Sequence, residues 1–306
     1  MFLQVNNLIK SYGSKSVLEN ISFNQEKGEI ISLIGTSGIG KSTLLKCLAG
    51  LCSIDSGNIT LNSNKIHNLE ANNRKISFVF QESPLFPHIN LLDNILFNMS
   101  SYDKKKLDFL LEKTELKNLV KRFPFEISGG ENQRAAVVRS LIRNPDLLLL
   151  DEPFSNLDTV NKKYVKEIVF EIIKESNLTT IIVNHDIEES LEISDRIMII
   201  NDGIIDAIDT PENIYKNPKI LSTAQLFGDV TSLAIENKKR YIRPENIKIV
   251  EKSPYDIEVK KSFYLGEKYR ISAKLGDDII DLYHNTNLMQ GSNLYIDFNK
   301  EDILNF

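Results

Sequence analysis

Two cysteines, Cys47 and Cys52, are the only thiols in the 306-residue chain. They stand close together in an apolar neighbourhood, so a disulfide framework is not expected, which fits a reducing cytoplasm. Two soft ligands alone also close no metal site. No run of about 18 uncharged apolar residues is found, which leaves no candidate membrane span. The opening stretch MFLQVNNLIKSYG has no basic segment followed by an apolar one, and no signal peptide is expected. Positive charge is in short supply too. The 37 Lys and Arg against 42 Asp and Glu give a formal net charge of −5, which argues against a protein that coats nucleic acid. Low-complexity tracts and solenoid repeats are absent. What remains, 42% hydrophobic and 26% charged residues, suits a soluble globular protein with room for two domains.

The first part of the chain alternates short strand-like and helix-like segments, the pattern of an α/β domain. Glu29 to Ile34 (EIISLI), DLLLLDEP, TTIIVN and DRIMII read as buried strands. KSTLLKCLAGL and Ile187 to Ile193 read as helices. A third helix places Val160, Tyr164, Val165, Ile168, Val169, Ile172 and Ile173 on one face. Two N-terminal strands, Leu3 to Ile9 and Val17 to Asn24, read as antiparallel and half exposed. Near Gly228 the character changes to short alternating segments separated by turn residues. The expected organisation is an α/β domain over residues 1–228 and a small all-β domain over 229–306.

GTSGIGKST, Gly35 to Thr43, fits a phosphate-binding loop, and it lies between a strand and a helix as that loop requires. Gly35, Gly38 and Gly40 let main-chain N–H groups converge on phosphate oxygens, and the following helix start adds positive potential. Lys41 is suited to the β- and γ-phosphates. The Ser42 hydroxyl is suited to Mg²⁺, a hard ion that takes oxygen ligands. Asp151, at the end of a strand, suits water-mediated holding of the same ion. Glu152 follows it and is placed to orient and polarise an attacking water. FEISGGENQR, Phe125 to Arg134, is a second glycine-rich helix start with no lysine of its own. By itself it also reads as a linker leading into a helix N-cap.

The order of these segments resembles the ATP-binding cassette (ABC) transporter ATPases over about residues 1–228: the phosphate loop, FVFQES, ISGGENQR, LLLLDEP, SNLD and IIVNHD. The resemblance implies a P-loop NTPase fold with a helical subdomain and an antiparallel β subdomain, and ATP and Mg²⁺ as cofactors. It also implies a head-to-tail homodimer, in which Ser128, Gly129 and Gly130 of one copy cap the γ-phosphate bound by the other. On the same grounds Thr36, Ser37, Ile39 and Thr43 belong to the nucleotide-binding loop, and Tyr12 is the aromatic that stacks on adenine. Gln81 is the residue that contacts Mg²⁺ and the attacking water, His185 contacts the γ-phosphate, and Asp158 communicates between the two sites. Ile127, Glu131, Thr36, Ile39 and Asn184 depart from the common pattern without removing a charged or backbone phosphate contact.

Three stretches resemble the importer branch: ESPLFPHINLLDNILF, SDRIMIINDGIIDAIDTPENIYKNP, and YIRPENIKIV in a tail similar to a short TOBE-like regulatory domain. The implied partners are integral-membrane permease subunits and, indirectly, an extracytoplasmic substrate-binding protein, with no nucleic acid. The implied place is the cytoplasmic face of the membrane. Ferric iron is the cargo this resemblance favours. A soluble ABC ATPase of repair or translation would usually carry a long coiled-coil insertion or a second cassette, and neither is seen. An exporter subunit is disfavoured by the β-rich tail.

Overall fold

The computed structural model describes residues 1–81, 85–155, 157, 159–235 and 238–306. Its chain divides into two compact units, Met1–Pro211 and Glu212–Phe306. The first begins with β1 (Leu3–Tyr12), β2 (Lys15–Gln25), β3 (Ile30–Ile34), α1 (Lys41–Ala49), β4 (Ser56–Leu61), β5 (Asn64–Lys65) and β6 (Ile76–Val79). Three helices follow: α2 (Leu91–Ile95), α3 (Lys104–Lys113) and α4 (Gly129–Leu141). It closes with β7 (Leu147–Asp151), α5 (Thr159–Glu175), β8 (Thr179–Val183), α6 (Ile187–Ile193), β9 (Arg196–Asn201) and β10 (Ile204–Asp209).

Six strands form one sheet in the order β10-β9-β3-β8-β7-β6, parallel except for β10. Both faces are covered, and this explains the unbroken leucine run. Leu147 and Leu149 belong to one core, with Leu44, Leu45 and Leu48 of α1, whereas Leu148 and Leu150 belong to the other, with Val165 and Val169 of α5. The first core also takes in the antiparallel sheet β2-β1-β4-β5. The register sets Leu33 of β3 and Asp151 of β7 on either side of Val183 of β8. The loops after these strands therefore open at one edge of the sheet, where ligands of open α/β sheets bind.

Helix α5 departs from its expected face in part. Val165, Val169, Ile172 and Ile173 are buried and Ile168 packs against them. Tyr164 is exposed instead, its ring 5.7 Å from the Arg134 guanidinium, while Phe170 is buried edge-on to Phe154 at 5.9 Å. The side chain of Val160 lies outside the described residues.

The second unit contains α7 (Pro211–Lys216, whose first residue closes the first unit), α8 (Leu221–Leu226), β11 (Thr231–Ile235), β12 (Lys238–Ile242) and β13 (Lys248–Val250). It continues with β14 (Tyr255–Tyr264), β15 (Tyr269–Leu275), β16 (Asp278–His284), β17 (Asn293–Asp297) and β18 (Ile303–Leu304). Two antiparallel sheets, β11-β12-β18 and β13-β17-β14-β15-β16, share one core. Alternation supplies it: Ile257 and Val259, Ile271 and Ala273, Ile280 and Leu282 point inward. The compact unit starts at Glu212, and within it the two short helices are joined to the β-strands through Arg243. This side chain is 2% exposed and donates to the carbonyls of Ala224 (2.9 Å), Tyr215 (3.1 Å) and Asp229 (3.4 Å).

Candidate active site

The loop between β3 and α1 turns tightly enough that glycine is required at Gly40. Its φ is 111°, and a Cβ there would meet the Val17 carbonyl oxygen at 2.9 Å. Lys41, 5% exposed, donates from Nζ to the carbonyls of Gly35 (2.8 Å) and Thr36 (3.0 Å). Burial lowers its pKa, against the opposing pull of Glu152 and Asp151. Ile39 N donates to the Thr36 carbonyl at 3.4 Å, and its side chain packs on the core. Ser42 Oγ donates to Asp151 Oδ1 at 3.0 Å. Burial raises the Asp151 pKa ahead of any other cause, the Ser42 hydroxyl works against it, and the adjacent Glu152 adds to it.

Glu152 has a left-handed backbone, φ 48°, and its N–H donates to the Val183 carbonyl at 3.2 Å. Its Oε1 lies 2.5 Å from His185 Nε2, so the carboxylate after β7 and the imidazole after β8 form one unit. A cavity of about 390 Å³ joins that unit to Ser37, Gly38, Gly40, Lys41, Ser42 and Thr43. Tyr12 stands on the same cavity's wall, its hydroxyl 3.2 Å from Cys52 Sγ. Beside it, Lys10 and Asp55 are paired at 3.2 Å and the Ser11 N–H donates to Asp55 at 2.6 Å, a brace the sequence did not signal. Lys15 and Val17 also line the wall without having been expected to.

Other expected residues lie elsewhere. Gln81, just after β6, is exposed and does not line this cavity. Ser128 is the N-cap of α4, accepting from Glu131 N at 3.3 Å while its own N–H donates to Glu131 Oε2 at 2.7 Å. Ser128 and Gly129 are exposed, Gly130 is buried, and none of the three lines a cavity with the phosphate loop. Asp158 lies outside the described residues. Asn184 is buried, and its Nδ2 has no hydrogen-bond partner among the described residues.

The ABC transporter family model matches residues 18–155. Over 297 residues the chain is 33% identical to the sulfate/thiosulfate import ATP-binding protein CysA of Pseudomonas aeruginosa, covering 92% of this chain and 90% of the relative. The chain belongs to the ABC transporter ATP-binding family. As an ABC ATPase it is also 39% identical, over 237 residues, to the Fe(3+) ions import ATP-binding protein FbpC 2 of Haemophilus influenzae, covering 74% of this chain and 67% of the relative. A solved relative is the ATP-binding cassette MJ0796 in a dimeric post-hydrolysis state bound to ADP and Pi. It superposes with a TM-score of 0.60 at 28% identity, covering 68% of this chain and 98% of that one.

Proposed function

We propose that this ABC ATPase hydrolyses ATP as a homodimer to drive an importer, docked on the cytoplasmic face of the membrane beneath permease subunits that a substrate-binding protein supplies. The observation that carries the chemistry is the Glu152–His185 pair facing the phosphate loop across one cavity. Among the described residues no helix is long and apolar enough to cross a membrane.

The loop N–H groups, the start of α1 and the buried Lys41 ammonium supply positive potential for the triphosphate, and low solvent access strengthens each of these interactions. Among the described residues no cluster of three or more His, Cys, Asp or Glu side chains could hold a metal unaided. The all-oxygen pair of Ser42 and Asp151 would nevertheless suit Mg²⁺, a hard ion that takes oxygen ligands, and Gln81 is assigned with them. When bound there, Mg²⁺ supplies neutralisation of phosphate charge. Glu152 orients the attacking water and takes its proton, and His185 holds that carboxylate in place. Ser128 and Gly129, exposed, and Gly130, buried behind them, form a helix start far along the chain from their own loop. Their assigned role is in the pocket of a second copy, and MJ0796, solved as a dimer with ADP and Pi, supports that reading. Asp158 is assigned to communication between the two pockets.

Glu152→Gln should keep ATP binding, lose turnover by about 10²–10⁴-fold, and accumulate as an ATP-dependent dimer by light scattering after size exclusion. A monomer at every nucleotide concentration would sink the shared pocket. Ferric iron is proposed as cargo, in keeping with the 39% identity to the Haemophilus influenzae protein. Uptake assays with ferric iron and sulfate in a strain deleted for this chain decide it, and loss of sulfate uptake alone would overturn the assignment.

A further inference from the structure

A second cavity of about 320 Å³ shares Glu152 and His185 with the first and reaches Lys162, Asp186 and Glu189. Lys162 stands in the first turn of α5, and its Nζ is 3.2 Å from Asp186 Oδ2 and 3.3 Å from Glu189 Oε2. Asp186 is the N-cap of α6. Its Oδ1 accepts from Glu189 N at 3.1 Å, and its carbonyl accepts from Ser190 Oγ at 2.9 Å. His185 directly precedes that cap, so the turn that seats Asp186 also aims the imidazole. Burial works to lower the Lys162 pKa, yet Asp186 and Glu189 carry it above the ordinary value. Glu189 is only 4% exposed, with Oε1 unpartnered among the described residues, and burial pushes its pKa up. Without Lys162, α6 would hold a desolvated carboxylate next to its own cap. One turn along α5, Lys166 pairs with Glu192 at 2.8 Å, and Lys166 lines neither cavity.

We infer that Lys162 is a positioning residue for hydrolysis: by holding Asp186 and Glu189 it fixes the turn that aims His185 at Glu152. It thereby links the helix that follows the Glu152 loop to the strand end that carries the histidine. This rests on the reading that Glu152 and His185 perform the hydrolysis. It adds a residue whose ion pairs are with Asp186 and Glu189 rather than with Glu152 or His185.

The test is steady-state phosphate release by the full chain. Lys162→Met should lower kcat about tenfold while KM for ATP stays within about twofold, and Lys162→Arg should restore most of the rate. Lys166→Met, which breaks an ion pair on the same two helices, should leave kcat unchanged. In a His185→Ala background, Lys162→Met should cause no further loss, because the two substitutions disable one device. Asp186→Asn keeps a capping oxygen but drops the charge, and should reproduce the kcat loss should Lys162→Met fold poorly. A loss confined to KM, an equal loss in Lys166→Met, or a full second loss in the His185→Ala background would each overturn the inference. Wild-type chain without turnover, or His185→Ala at full rate, would instead remove the reading of Glu152 and His185 beneath it.

Discussion

Asp151 and Glu152 are adjacent in sequence and differ in what the fold asks of them. Asp151 is 8% exposed and accepts one side-chain hydrogen bond, from Ser42. Its raised pKa means that burying it charged works against folding. Asp151→Asn retains an acceptor for Ser42 and removes the charge. It should therefore raise the melting temperature by a few degrees at neutral pH, at about 2–4 °C per kcal/mol, while abolishing ATP turnover. The sign follows from linkage. A carboxyl whose folded pKa is raised favours the fold below its ordinary pKa, and that benefit is lost as pH rises through the folded value. The advantage of the variant should thus be complete at neutral pH and vanish as pH falls into the ordinary carboxylate range; an advantage that grew on acidification would refute this account. Glu152 has another cost, a left-handed backbone worth roughly 1–3 kcal/mol in a non-glycine residue, offset in part by its N–H bond to Val183. The acid pair was legible from LLLLDEP because its position after a buried strand carries the meaning. The backbone of Glu152 was not legible, since nothing in glutamate marks a positive φ.

At the scale of elements, four of the five parallel strands, β3, β7, β8 and β9, were the easiest to read, whereas the four-residue, half-buried β6 was not read. Five-residue apolar runs buried on two faces have no polar side to confuse the period. The segment before α2 depends instead on a single polar residue. Asn94 is fully buried, and its Nδ2 donates to the carbonyls of Phe86 (3.0 Å), Ile89 (3.0 Å) and Asn90 (3.1 Å). Its Oδ1 accepts from Phe86 N at 2.7 Å. Asn94→Ala should cost about 2–4 kcal/mol by stranding these groups, read as a lower midpoint in urea. A change below about 0.5 kcal/mol would show that water replaces the amide. No sequence pattern announces such a residue, because an asparagine in an apolar stretch looks like a helix cap. The antiparallel pairing of β11 with β12 also escaped notice. Among its described side chains only Leu233 and Ile242 are buried hydrophobics, too few to display an alternation.

For the whole molecule, the division of the chain follows one cation more closely than it follows composition. Arg243 and Glu245 of the RPE stretch both engage Tyr215. The guanidinium lies 4.1 Å from the centre of its ring, and the Glu245 carboxylate accepts from its hydroxyl. Burial, ahead of that hydrogen bond, pushes the Tyr215 hydroxyl up to about 12, so the phenol stays protonated and bound. Expressed alone, residues 212–306 should fold to a dispersed amide spectrum. Residues 229–306 should not, because Arg243 would lose two of its three carbonyls; equal dispersion from both fragments would show that the helices are dispensable. The practical corollary concerns chimaeras. A tail transplanted between cassettes with its cut at the first β-strand would leave a guanidinium lodged in a donor site that stayed behind. A cut ahead of Glu212 moves lock and key together.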